Sequence, residues 1–475
     1  MNFLKAKFEE LFGIDVRSLA LMRVSFALLI IADLINRGAS LKAHYTDYGV
    51  LPRYALLFYE GMAKTTSLHL ISGAWAFELF LFLLAGVVAA CLLIGYKTRL
   101  MTILSWIFLV SLQNRNFLVI QGGDILFRMA LFWAMFLPWG DYYSLDRWGN
   151  LKPRPQPRVS SLATFAFLLQ VAAVYVFTGF LKTGQEWTQE GTAIYYALNV
   201  DQFTTPFGYF LLQFPEFLKY LTFAVLYLEC YGPLLFFVPF WTVPLRIIAL
   251  GLFLGMHIGI NLSMRLGLFH WISLATLVAF IPTEAWDFVT KRRLPVVSDQ
   301  DPRKIIKILT SIVVAFFIVY LGVWNLSNLP DSKIKISSSG QWMANALRID
   351  QKWNMFSPKP LTDDGWYIIA GQLEDLTRVD LFRNGQLVSF DKPKSVSLTY
   401  RDQRWQKYMM NLWKRDFVKY RLYYGKYLCR EWNHGHPPGQ KLKNFVIIYM
   451  REDTPAPGLP VAMPKMEILW RHKCF

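Results

Sequence analysis

Charge is scarce in this chain: Asp, Glu, Lys and Arg make up 17% of its 475 residues, against about 25% in soluble globular proteins. Beside 54% apolar residues, that scarcity excludes an ordinary soluble globule. Cysteine is rarer still. Cys91, Cys230, Cys429 and Cys474 have no C-x-x-C spacing, so neither a zinc ribbon nor a disulfide scaffold is indicated. No internal repeat or low-complexity segment is evident, which disfavours a transporter built from inverted halves. No removable signal peptide is expected either. Acidic residues are outnumbered, leaving a net charge of +17. In an apolar chain such an excess marks cytoplasmic loops, and no aromatic-interleaved basic motif points to nucleic acid.

What is abundant is long apolar runs, concentrated before residue 330. A hydrocarbon core of ~30 Å needs ~20 apolar helical residues, because backbone polar groups must be satisfied within the segment. Nine stretches qualify, at 18–36, 74–95, 100–119, 124–139, 161–181, 217–240, 245–262, 266–282 and 304–326. The intervening basic residues alternate in sidedness. With the N-terminus inside, inner loops carry Lys5 and Lys7; Lys97 and Arg99; Arg147, Lys152, Arg154 and Arg158; and Lys291, Arg292, Arg293, Arg303 and Lys304. An odd number of spans then places residues 327–475 outside the cytoplasm. The expected fold is an all-α polytopic membrane domain of about nine transmembrane helices followed by a small α+β extracytoplasmic domain. Residues 1–16 form an interfacial amphipathic segment, with Leu4, Phe8, Leu11 and Phe12 on one stripe. Residues 17–326 form the transmembrane domain and residues 327–475 the exported one.

That exported tail has 24 basic and 14 acidic residues. Trp366–Ala370 and Asn444–Met450 read as strands, and VDLFR, Asn384-Gly385 and QLVSF read as a hairpin. Arg401–Trp432 has helical spacing. Cys429 and Cys474 both fall on this tail, where an oxidising compartment allows them to pair. Cys91 and Cys230 read as apolar filler within spans. His434, His436 and His472 resemble metal ligands only loosely, and no metal is expected.

Ionisable groups inside spans are costly and usually face protein, so their depth is informative. Asp33, Arg37, Glu78, Arg115, Asp124, Arg128, Lys182, His257, Asn261 and Arg265 fall in or near the outer half, and Glu229 near mid-depth. Together they suggest a polar pocket open to the exported side. Each has a plainer reading. Asp124 and Arg128 are spaced for an i, i+4 ion pair, and Asp124 follows Gly122-Gly123 at a helix start, where a carboxylate suits the dipole. Glu229 precedes Gly232-Pro233 and could bond carbonyls freed by the proline. His257 could make a simple interhelical hydrogen bond. Lys182 ends the run VYVFTGFL: either the ammonium snorkels to headgroups, or burial favours a neutral amine, a competent general base. Glu186, four residues on, would oppose the neutral form if it paired with the lysine.

Several stretches resemble the HTTM family, bacterial membrane relatives of the vitamin K-dependent γ-carboxylase. They are DVRSLALMRV, AHYTDYGVLPR, LIGYKTRL, NRNFLVIQGGD, FLPWGDYYSLDR, YVFTGFLKTGQEW and MHIGINLSMRLGLFHWISL, with QKWNMFSPKP, DDGWYIIAGQL and YLCREWN in the tail. Gly179, Lys182 and Trp187 match the spacing around the carboxylase lysine, and His257, Gly267 and Phe269 match a His ten residues before Gly-x-Phe. The resemblance implies a bacterial inner-membrane enzyme, a γ-carboxylase-like lyase or quinol epoxidase. Lys182 would be the base and His257 its supporting group, with Asp124, Arg128, Glu229 and Asn261 shaping the cofactor site. The implied cofactor is a reduced quinone of vitamin K or menaquinol type; the implied partners are the bilayer and an exported protein or small-molecule substrate. Gly140 and Asp141 stand where animal carboxylases carry Asn-His, and the tail is short for docking a propeptide-bearing protein. Quinol epoxidation or a related oxidation therefore fits better than glutamate carboxylation. The alternative is a non-enzymatic lipid- or quinone-binding membrane protein whose periplasmic domain recruits a partner.

Overall fold

The computed structural model describes residues 2–61, 66–148, 157–294 and 304–475, so Lys152, Arg154 and Arg303 lie outside the described residues. Helices occupy all nine apolar stretches. Six of them, among the described residues, are long and apolar enough to cross a membrane: Val16–Gly38, Trp75–Ile94, Leu162–Phe180, Pro215–Phe237, Thr242–Ser263 and Lys307–Ser327. Phe269–Phe280 and Thr283–Thr290 would make a seventh only across a 96° bend. The expected nine spans are thus reduced by two short or polar helices and this bent pair. Gly122–Ala134 has 13 residues, roughly 20 Å at ~1.5 Å per residue, short of the hydrocarbon thickness. Thr98–Arg115 ends in the buried polar run Ser111, Gln113, Asn114 and Arg115.

One end of the bundle gathers the basic loops. Ile14–Asp15 pairs with Arg158–Val159, Arg17 binds Asp15 and Asp287 at 2.9 Å each, and the Asp146 carboxylate accepts from the Lys97 amide. The helix Asn2–Phe12 lies at this end, where Phe12 packs on Phe165 and Phe237. At the opposite end the tail covers the helices. Its sheet is antiparallel, in the order Arg378–Asp380, Asp363–Leu373, Leu442–Asp453, Lys465–Lys473. Both expected strands fall inside it. The expected single helix is two, Gln403–Trp413 and Val418–Gly435, broken by a short turn at Arg415–Phe417. The hairpin is half right. Asn384 and Gly385 both take positive φ, as the turn requires, but Arg378–Asp380 pairs with Asp363–Leu373, and QLVSF contributes one bridge, Asp380 to Gln386. The Asp380 carboxylate accepts from Ile369 and Phe382 amides and pins its segment to strand Asp363–Leu373.

The boundary at 326/327 is not a boundary between cores. Ala344, Ile349 and Trp353 of the tail join the transmembrane core, while Val50, Leu51, Leu56, Leu118 and Val119 join the core of the tail. Cys429 and Cys474 are disulfide-bonded with Cα atoms 5.6 Å apart, tying helix Val418–Gly435 to the residue after the last strand. Cys91 and Cys230 are free. Replacing Cys429 and Cys474 with Ser is expected to lower tail stability by ~2–4 kcal/mol, read as earlier proteolysis of residues 400–475 in a temperature series. Equal protease resistance would show that the bridge does not restrain the unfolded tail.

A second measurable property lies where the tail meets the loop after Leu198. Asp364 is buried on its strand, and its carboxyl is pushed up to about 8 by burial and then by the neighbouring charge of Asp201, against bonds from Gly365 and Gln202 amides and the Lys392 charge. Asp201 accepts from Tyr209 at 2.7 Å and pairs with Lys392 at 2.6 Å. The folded state therefore holds a proton that the unfolded chain releases near pH 4. Stability is expected to fall as pH rises from about 5 to 8, by up to ~1.4 kcal/mol per pH unit, and Asp364→Asn should flatten that slope. Thermal melts across this range check it; a slope unchanged in the Asn variant would assign it to other groups.

Candidate functional site

Lys182 owes its position to two close approaches. Helix Leu162–Phe180 starts at a capping box, in which Ser161 Oγ accepts from the Thr164 amide and Thr164 Oγ1 from the Ser161 amide. Near its other end, a Cβ on Gly179 would lie 2.5 Å from Cys230 Sγ and 3.0 Å from Cys230 N. Only a glycine lets helix Pro215–Tyr231 come this near, and the approach sets Glu229 beside Lys182. At Gly184 the tail closes in: its amide donates to Pro358 O at 2.9 Å, and a Cβ there would meet Lys359 Cβ at 2.9 Å. The tail segment from Gln351 to Pro358 thus runs over the site. Gln170 donates to Gln351 Oε1 at 2.9 Å, and Trp187 Nε1 to Phe356 O at 2.9 Å.

Inside this enclosure Lys182 is 4% exposed and forms an ion pair and hydrogen bond with Glu229, itself 7% exposed. The ammonium also sits 4.2 Å from the Trp187 ring centroid. Neither snorkelling nor the Glu186 pairing occurs. Glu186 turns to Lys359 at 3.5 Å, and Glu229 bonds Lys182 rather than backbone carbonyls freed by Pro233. His257 is buried on helix Thr242–Ser263 and shares a 2.8 Å hydrogen bond between Nε2 and the Tyr175 hydroxyl. Lys182 with Glu229 and Tyr175 with His257 thus form two buried polar pairs, Tyr175 on helix Leu162–Phe180 and Lys182 just beyond its end. Phe253 and Phe269 wall the second pair, with ring centroids 4.3 Å from Tyr175 and 5.9 Å from His257. His257 Nδ1 and both nitrogens of buried His270 have no hydrogen-bond partner among the described residues.

The other expected members lie elsewhere. Asn261 is exposed: four residues carry a helix ~40° past His257, and this span is covered only along a narrow stripe. Arg265 is exposed too. Asp124 does not pair with Arg128. It caps its own helix, accepting from the Gln121 amide at 2.8 Å, and is held by Arg37 at 2.5 Å and Arg404 at 2.5 Å. The same two arginines hold Asp33 at 2.7 Å each, and Tyr45 accepts from Arg37 at 2.8 Å. Arg128 instead donates to Gln113 Oε1 at 2.8 Å and Asp350 O at 2.6 Å. Glu78 meets His69 at 2.5 Å, and Arg115 donates to Leu51 O at 2.7 Å. The single outward-opening pocket is therefore replaced by several closed polar groups beneath the tail. A small cavity beside Asp33 and His69 measures about 20 Å³, room for about one water and too small for an organic ligand.

Tyr175, Arg404, Tyr45 and His270 were not among the residues expected from sequence. Tyr175 is embedded in VYVFTGF and reads as hydrocarbon filler, and Arg404 lies on a tail helix with no local sign of its partners. His434, His436 and His472 form no group of three or more metal-type ligands among the described residues.

A helical bundle long and apolar enough for several membrane crossings, with a buried lysine–carboxylate pair capped by a sheet-bearing tail, defines a multi-pass membrane protein. The HTTM domain profile matches residues 13–286, more than half of the chain, and the chain belongs to the HTTM family. No curated protein and no solved structure matches it.

Proposed function

We propose that the chain is an integral membrane enzyme in which the Lys182–Glu229 pair exchanges a proton with a bound reduced quinone. The observation that carries this reading is a buried, protein-enclosed lysine–glutamate ion pair with an aromatic ring against the ammonium. Aromatic rings suit a flat apolar quinone, and His257 and His270 can reach its oxygens with hydrogen bonds. When bound, a reduced quinone supplies two electrons and two hydrogens, and with one dioxygen yields one quinone epoxide and one water. Lys182 and Glu229 do the proton work. In a dry site they interconvert between ammonium–carboxylate and amine–acid by moving one proton along one hydrogen bond. When Glu229 carries that proton, Lys182 Nζ is free to accept one. Trp187 orients the amine and the segment from Gln351 to Pro358 excludes water. The basic loops at the far end support a reading in which that end faces the cytoplasm of a bacterial inner membrane, the tail faces the periplasm, and the site lies near the exported face.

The test uses the full chain in lipid nanodiscs, supplied with reduced menaquinone or vitamin K, oxygen and labelled bicarbonate. Quinone epoxide without incorporated label is the expected product. Absence of both epoxide and label, with folded protein, overturns the enzymatic reading and leaves a quinone- or lipid-binding role.

A further inference from the structure

Residues 454–464 join strand Leu442–Asp453 to strand Lys465–Lys473, and their sequence, TPAPGLPVAMP, contains no charged side chain. Leu459, Val461 and Met463 are 62%, 70% and 89% exposed, although a loop in water is ordinarily built of polar residues. Four of the eleven residues are prolines, which have no amide hydrogen to satisfy. Of the other amides, Thr454 donates to Thr362 O at 2.8 Å, and Leu459 to Ala456 O at 3.0 Å across a turn at Gly458. A backbone with so few free donors loses less on leaving water than an ordinary loop.

The loop is rooted where the tail meets the end of a span. Across the sheet Asp453 faces Asp363 and Glu452 faces Asp364. Asp364 Oδ2 accepts from the Gln202 amide at 3.2 Å, and Lys392 pairs with both Glu452 and Asp201, the latter at 2.6 Å. The Thr205 amide donates to Ser263 O at 3.1 Å and the Arg265 amide to Phe203 O at 2.7 Å, so residues 201–205 cap the span Thr242–Ser263. The helix that follows, Pro206–Leu211, exposes Phe207 and Phe210, the kind of apolar face that lies in a membrane interface. Its Tyr209 donates to the same Asp201 at 2.7 Å. The exposed aromatics and the root of the loop therefore meet at one carboxylate, at the rim of the bundle.

We propose that residues 454–464 form a lipid-inserting loop, with Leu459, Val461 and Met463 entering the headgroup–acyl boundary of the leaflet beneath the tail. Irregular backbone is excluded from the hydrocarbon centre, so penetration is limited to about 5–10 Å. The tail is then held to the membrane independently of its contacts with the helices. Neither quinone chemistry nor the compartment that the tail faces enters this inference.

The experiment uses the full chain in phosphatidylcholine–phosphatidylglycerol liposomes, with photoreactive p-benzoylphenylalanine placed singly at position 459, 461 or 463. Position 378 is the control. Arg378 is exposed and pairs with Gln372, nine residues along its strand from Asp363, roughly 30 Å at ~3.3 Å per residue. After illumination, mass spectrometry of the digest reads lipid adducts on each probe peptide. Yields at the three loop positions are expected to exceed the control by about tenfold or more, the preference of one large apolar side chain for hydrocarbon over water. The probe is itself apolar, so position 463 is repeated with Leu459→Asp and Val461→Asp, and its adducts should fall to the control level. Loop yields equal to the control overturn the proposal. Crosslinks to protein in place of lipid also overturn it, because a second copy or a bound partner then covers the loop. Undiminished adducts in the Asp variant do so too, because the probe alone would then drive insertion.

Discussion

Exchanging Lys182 for Ala or for Arg is expected to lower quinol turnover by about 10²- to 10⁴-fold, the range over which a positioned acid–base group contributes. The two variants fail for different reasons. Alanine removes the amine and leaves Glu229 buried without its partner, so stability should fall as well. Arginine keeps the positive charge, so the fold should survive, but a guanidinium stays protonated throughout the working pH range. A non-enzymatic binder would tolerate the arginine. Turnover in nanodiscs, paired with quinone binding read by isothermal titration, separates the outcomes: an Arg variant that retains full activity removes proton exchange at this site from the mechanism.

Arg404→Ala should be the most destabilising single change in the tail, by about 3–5 kcal/mol. Arg37 and Arg404 each bridge Asp33 and Asp124, and the four charges cancel within a fully covered cluster. Removing one guanidinium leaves two carboxylates facing one cation without water. Arg404→Lys should recover only part of the loss, because one ammonium cannot match the forked geometry that reaches both carboxylates. The accompanying Asp124→Asn, which restores neutrality, should recover more. Since Arg404 is on the tail and its partners are on transmembrane-domain helices, the loss should also loosen the tail from the bundle. Thermal melts together with limited proteolysis after residue 327 measure both effects; a melt unchanged by Arg404→Ala would mean that water enters the cluster and screens it.

The chain exposes some of this in one dimension. Gly179, Lys182 and Trp187 are legible as a group because the resemblance to the carboxylase spacing falls within one short stretch, and the structure gives each a reason: close helix approach, the amine, and the ring beside it. Asp124 at its helix start is legible for the same reason, as a local electrostatic preference. Local rules fail where they are asked to choose partners. Both i, i+4 pairs available on paper, Asp124 with Arg128 and Lys182 with Glu186, are displaced by partners from other elements. In a low-dielectric interior a buried charge takes the partner that packing delivers in good geometry, and exposed-helix preferences of about 0.2–0.5 kcal/mol do not compete.

The sequence by itself marked out the helical stretches and the two tail strands, allowed Cys429 and Cys474 to pair, and singled out Lys182. These depend on composition and short-range periodicity. Tertiary structure decided that Glu229, 47 residues away, holds Lys182, that Arg404 reaches back 280 residues to Asp124, and that Tyr175 bonds His257. It also decided that the tail seals the site where an open pocket was expected. Such contacts depend on how near two helices come, which a single missing Cβ at Gly179 can set and which no spacing within one segment encodes.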